Sequence, residues 1–171
     1  MSGLNEIKKI LNLFKKKINK VFLHCTSEYP TKIEDVNLKF IKFIRDKYKI
    51  FSGLSDHSRN LDVLSAGIAV GAKIIEVHFT DNINLAGPDH KVSLTPKEIK
   101  KLVKKRNIII KALGKADKFL GMHVRKMRNT FTNSIYLKKN LKKGKIITKK
   151  DIYFMKPGNG LSPFQYKKIL F

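Results

Sequence analysis

Three short polar clusters stand out from a lysine-rich background: Ser55, Asp56 and His57 in "GLSDHS", Glu76 and His78 in "IIEVHFT", and Asp89 in "GPDH". Two histidines fall short of a closed structural zinc site, which takes four protein ligands. His57 and His78 suit an open site instead, in which water and substrate oxygens complete the shell of a divalent ion such as Mn, Co or Zn. Glu76, two residues before His78, shares its strand face and could accept a hydrogen bond from a metal-bound water or orient a ligand. Asp89, held by Gly87-Pro88, could bind a sugar hydroxyl or relay a proton. In "HCTSEYP", Ser27 and Tyr29 can offer hydroxyls to a polar substrate while Pro30 stiffens the loop. Each cluster also has a plainer reading. Ser and Asp satisfy backbone donors in turns, a histidine can sit neutral and hydrogen-bonded in an interior, and Pro-Asp is an ordinary turn.

These side chains need elements to carry them, and the apolar spacing supplies candidates. "MSGLNEIKKILNLFKKKINK" places Leu4, Ile7, Leu11, Phe14 and Ile18 on one stripe, the pattern of an amphipathic helix. "KVFLHC", "IFSGLSD" and "KIIEVHFT" read as strands. Between and after them, "VNLKFIKFIRDKY", "LDVLSAGIAVGA" and "TPKEIKKLVKKRNIIIKALG" read as helices, the last opening with Pro96 behind a Thr95 cap. Strands alternating with helices imply parallel βαβ units with right-handed crossovers. His24, His57 and His78 then fall at or just past three successive strand ends, along the rim where α/β folds bind ligands.

The pattern changes after Gly114. "GKADKFLGMHVRKMRNTFTN" has no steady period and reads as a linker, with residues 121–133 as its core. Residues 134–171 then show short strand-like pieces divided by turns, with Thr148 and Asp151 spaced as a capping box. The expected organisation is a first domain over 1–120, the linker, and a small β-rich domain of a different class, cut short at its end.

Composition excludes several classes. The 171 residues are 42% hydrophobic, enough for a core, with a formal charge of +24. Of 37 basic residues 32 are Lys, spread along the chain with much Ile and Asn, which resembles a coding bias more than a built interface. No zinc-finger spacing, RNA-binding aromatic cluster or Arg-rich arm accompanies them, so nonspecific attraction to polyanions is the expectation and specific nucleic-acid binding is not. One cysteine, Cys25, precludes an internal disulfide and fits a reducing, cytoplasmic setting. The lysine-broken apolar runs predict no membrane span.

Taken in order and spacing, "LHCTSEYP", "GLSDHS", "IIEVHFT", "GPDHKVSL" and "KPGNGLSP" resemble the sialic acid synthase family of N-acetylneuraminate, legionaminate and related nonulosonate synthases. The resemblance runs from Val21 to Pro163. It implies an α/β fold, a TIM barrel followed by an antifreeze-like SAF domain that is swapped between the subunits of a homodimer. This chain is similar to the last three βα units of that barrel plus the start of the SAF domain, so a separate N-terminal half would be needed for a complete site. The implied reaction condenses phosphoenolpyruvate with an N-acyl amino sugar, typically N-acetylmannosamine, to a nine-carbon keto acid and phosphate. By resemblance His57 and His78 match ligands of a divalent metal, usually Mn. Ser55 matches a phosphoenolpyruvate contact, with Ser27 near the same ligand, and Tyr29 and Asp89 line the amino-sugar pocket. The family's Arg-Pro-Gly is here Lys156-Pro157-Gly158, which keeps the charge and loses the planar fork. The competing expectation is a noncatalytic half-barrel kept for binding or assembly.

Overall fold

The computed structural model describes residues 2–14 and 19–170, which divide into two compact units, Met1–Lys115 and Ala116–Phe171. Among the described residues no helix is long and apolar enough to cross a membrane.

The first unit is α/β. Its elements in order are α1 (Leu4–Leu13), β1 (Val21–Cys25), α2 (Lys39–Tyr48), β2 (Phe51–Asp56), α3 (Leu61–Val70), β3 (Ile75–Val77) and α4 (Pro96–Leu113). The three strands form one parallel sheet in the order β1-β2-β3. Helix α4 starts at the predicted Thr95 cap, where Thr95 and Glu98 close a reciprocal capping box, and at the start of α3 Asn60 Oδ1 accepts from the amides of Asp62 and Val63. The first helix ends at Leu13, short of the predicted stripe, and Ile18 lies outside the described residues.

The core lies between the sheet and its helices. Ile41 of α2, Leu54 of β2, Leu64 of α3 and Leu102 of α4 are buried together, joined by Leu94. Each such side chain contributes roughly 1.5–3 kcal/mol by leaving water. Since side chains alternate along a strand, burying Leu54 toward the helices sends Gly53, Ser55 and the following His57 to the opposite face. At Gly53 the chains come so close that a Cβ would overlap the Ile74 carbonyl oxygen and lie 2.6 Å from Leu23 Cδ2.

The third strand is shorter than "KIIEVHFT" suggests. His78 follows it, and a single parallel bridge joins Phe79 to Leu94. The amide of Leu94 donates to the His78 carbonyl at 2.8 Å and that of Thr80 to the Leu94 carbonyl at 3.1 Å. The intervening loop, which holds Asp89, is therefore closed back onto the end of β3.

The second unit contains α5 (Met122–Phe131), an antiparallel pair of β4 (Ser134–Leu137) and β5 (Ile152–Met155), and α6 (Tyr166–Ile169). The stretch expected to be a linker is thus largely helical. None of its helical residues is buried, so this helix contributes no side chain to a core. The Thr148–Asp151 box forms as its spacing predicts, with Thr148 Oγ1 donating to Asp151 Oδ2 at 2.7 Å.

Candidate functional site

Strand register builds the site. Ser55 lies opposite Glu76 and Asp56 opposite Val77 in the parallel pairing of β2 with β3. A two-residue period then brings Ser55, His57, Glu76 and His78 to one face, where they line a hollow of about 130 Å³ together with Val77. Ser55 Oγ donates to Glu76 Oε1 at 2.7 Å, and the His57 and His78 rings lie 5.2 Å apart.

That separation can be compared with what one shared ion requires. An imidazole nitrogen about 2.1 Å from a metal puts the ring centre roughly 3.2 Å away, so two rings on one ion at an angle near 100° have centres about 5 Å apart. The pair fits.

The nitrogens of His57 fit as well. His57 is buried, at 5% exposure, and its Nδ1 lies 3.0 Å from the Thr26 carbonyl oxygen. A carbonyl only accepts, so Nδ1 carries the proton and the Nε2 lone pair is left to bind. His78 has its Nδ1 3.9 Å from Asp89 Oδ2, too long for a hydrogen bond. Among the described residues no group of three or more His, Cys, Asp or Glu side chains is placed to hold a metal, so an ion shared by the two imidazoles would need water and substrate oxygens for the rest of its shell.

The other predicted residues are placed unequally. Tyr29 is half-exposed and lies over His57, ring centres 4.1 Å apart, with its edge toward His78 at 5.9 Å. Asp89 stands at the rim beside His78. Ser27 is exposed on its loop and does not line the hollow. His24 departs from the rim altogether. Its Nε2 bonds the Val36 carbonyl at 2.8 Å, its ring packs on Phe40 of α2, and burial holds its pKa below the usual imidazole value. Position at three successive strand ends put the histidines together in sequence, but alternation along β1 turns His24 toward the helices. Lys156 belongs to the second unit, where its Nζ lies 5.4 Å from the centre of the Phe131 ring, a cation–π contact.

Asp56, singled out in sequence with Ser55 and His57, also contributes, and so do Thr80 and His90, which carried no sequence signal of chemistry. Asp56 is buried between Ser55 and His57, and burial raises its pKa. Its Oδ2 accepts from the Ser58 amide and hydroxyl, Ser58 Oγ accepts from the Asn60 amide, and Asn60 caps α3. A relay of hydrogen bonds thus ties the end of β2, next to His57, to the following helix. Thr80 and His90 share a 2.8 Å hydrogen bond under the Asp89 loop. Gly87, at φ +142, packs against the His90 ring, a backbone conformation open to glycine. The "Ser-Asp" and "Pro-Asp" turn signals mark these positions without revealing which donors they satisfy.

The chain is an α/β protein with a parallel sheet, and its paired imidazoles and Ser–Glu contact lie at the carboxyl rim, where α/β folds commonly bind ligands. Residues 1–118 match the NeuB family, and the chain belongs to that family. It is 38% identical over 174 residues to N,N'-diacetyllegionaminic acid synthase of Campylobacter jejuni, covering 99% of this chain and 52% of the relative. Pseudaminic acid synthase of C. jejuni is 37% identical, covering 96% of this chain and 48% of its own length. Among solved structures, the N-acetylneuraminic acid synthetase of Leptospira borgpetersenii, crystallised with citrate, superposes with a TM-score of 0.69 at 35% identity, over 74% of this chain and 45% of that one. The chain spans about half the length of the curated relatives it matches.

Proposed function

We propose that the chain supplies one half of a nonulosonic acid synthase, three βα units of a TIM barrel followed by part of an SAF-type domain. The completed enzyme would join phosphoenolpyruvate to an N-acyl amino sugar such as N-acetylmannosamine. The observation that carries this reading is the convergence of His57 and His78 on adjacent strands beside the Ser55–Glu76 contact. Family membership and the names of the relatives support the substrate class.

In this reaction carbon 3 of phosphoenolpyruvate adds to the aldehyde carbon of the open-chain sugar and water adds at carbon 2. The bond from carbon 2 to the phosphate oxygen then breaks, leaving a nine-carbon keto acid and inorganic phosphate. A divalent ion, most naturally Mn, bound through His57 and His78 would supply Lewis acidity toward the aldehyde oxygen. Ser55 lies where its hydroxyl, turned from Glu76 Oε1, can donate to the phosphoenolpyruvate, with Ser27 on the neighbouring loop as a second hydroxyl donor. Glu76 engages one carboxylate oxygen with Ser55 and can take a proton from the attacking water with the other. Tyr29 covers one face of His57, excludes water from it and presents its hydroxyl toward the sugar. Asp89 stands at the rim to accept from sugar hydroxyls.

The second unit would act in a partner subunit of a swapped homodimer, with Lys156 near the sugar's acyl group. A lysine there offers a single ammonium and no bidentate contact. Such an enzyme uses cytoplasmic substrates, in keeping with the unpaired Cys25.

Among the described residues β1 and β3 each pair, along the strand, with β2 alone, so both edges of the sheet are open, and Val21 on β1 is exposed. An open parallel edge invites further strands. The test is coexpression with the N-terminal half of a related synthase, followed by an assay for Mn-dependent phosphate release from phosphoenolpyruvate and N-acetylmannosamine, or the corresponding diacetylated sugars. Activity that disappears with His78→Ala is the expected result. A stable complex with no activity toward any amino sugar would instead identify a noncatalytic assembly module.

A further inference from the structure

Resting on the metal-site reading above, we infer that Thr31 is a positioning residue that sets the tautomer and orientation of His57. Its place at the loop end, two residues beyond Tyr29, gives no hint of this in sequence. The side chain is nonetheless buried, at 6% exposure, on a loop whose neighbours Ser27 to Pro30 are exposed.

Three bonds explain the burial. The Thr31 amide donates to the His57 carbonyl at 3.2 Å. The Thr31 hydroxyl donates to the Glu28 carbonyl at 2.8 Å and lies 3.3 Å from the Thr26 carbonyl, a shared hydrogen bond to two acceptors. The Thr26 carbonyl is the one that receives the proton of His57 Nδ1. Thr31 therefore grips His57 twice, directly through the backbone and indirectly through the acceptor that orients the ring.

The loop between Thr26 and Thr31 becomes a cup around the imidazole, and Tyr29 lies on the ring from the same cup. Without the hydroxyl, the two carbonyls lose their common donor, the Thr26 oxygen is free to turn, and Nδ1 loses the acceptor that keeps the proton there. Nε2 then competes for the proton, and its lone pair is no longer reserved for a ligand. Outer partners that orient a metal-binding histidine are typically worth 10–100-fold in metal affinity.

The test compares Thr31→Val, which keeps the shape and removes the hydroxyl, with Thr31→Ser, which keeps the hydroxyl. Nitrogen-15 spectra of the full chain without metal report the His57 tautomer, and calorimetry with Mn reports affinity. The parent should show the Nδ1-protonated form alone, Thr31→Val a mixture of both tautomers with Mn affinity about tenfold weaker, and Thr31→Ser the parent's behaviour in both. A parent-like tautomer in Thr31→Val overturns the inference. So do equal defects in the Val and Ser variants, since that pattern assigns the effect to packing. If the parent binds no Mn, the metal reading fails by itself, while the tautomer spectra still decide the role of Thr31.

Discussion

His57 and His78 bring their rings to 5.2 Å because the strands before them run parallel and in register, with Asp56 opposite Val77. Adjacent strands lie about 4.8 Å apart, so two side chains leaving the same face at the same level meet at about the distance one ion needs. Replacing either histidine with alanine should weaken Mn binding by tenfold or more, and the double variant should lose little beyond that. Calorimetry on the full chain measures this, and an unchanged affinity in His78→Ala would remove that residue from the donor set.

Tyr29 touches His57 through its ring, while its hydroxyl lies at the tip. The two can be separated. Tyr29→Phe should leave Mn affinity within about twofold of the parent and raise KM for the amino sugar in the reconstituted enzyme, by about the five- to tenfold that one hydrogen bond is worth. Tyr29→Ala should also weaken Mn binding, since it uncovers the His57 ring. A Phe variant with parent kinetics would exclude the hydroxyl from the sugar site.

Gly53 sits where β2 passes the Ile74 carbonyl and Leu23. Adding one methyl there overpacks the strand crossing against backbone that cannot move aside. Gly53→Ala should cost about 1–3 kcal/mol in urea unfolding, and broaden the His57 and His78 signals as β2 shifts. Full parental stability would mean that the strand relaxes freely.

Acid should act on the second unit through Asp151. Its hydrogen bond from Lys145, at 2.8 Å, and those from Thr148 hold its pKa far below the usual carboxylate value. A depressed carboxylate stabilises the fold fully above the unfolded value of 3.8, and that contribution fades as pH falls toward the folded value. Tyr136 and Tyr153 pack on each other across β4 and β5 and report this unit. Their NMR signals should lose dispersion as pH falls below about 4, and Asp151→Asn should show the loss already at neutral pH. A flat profile between pH 5 and 2 would contradict the assignment.

His24 and the segment around α5 show where sequence and structure part. His24, His57 and His78 look equivalent as strand-end histidines, yet His24 turns toward Val36 and Phe40 on the helical side. The α5 region reads as a linker in sequence, although its backbone is helical and none of its residues is buried. Ser27 matches a motif position and yet lies outside the hollow.

What the sequence by itself determined is local: the βα alternation, the Thr95–Glu98 and Thr148–Asp151 caps, and the clustering of polar residues after the strands. These follow from interactions among residues a few positions apart, which composition and period record directly. The tertiary structure alone decided that His57 donates to Thr26, that Thr31 supports the same carbonyl, that Tyr29 covers the ring and that Asp89 returns to His78. Those contacts join segments brought together by strand register and loop closure, and no local pattern encodes the distance between side chains on neighbouring strands.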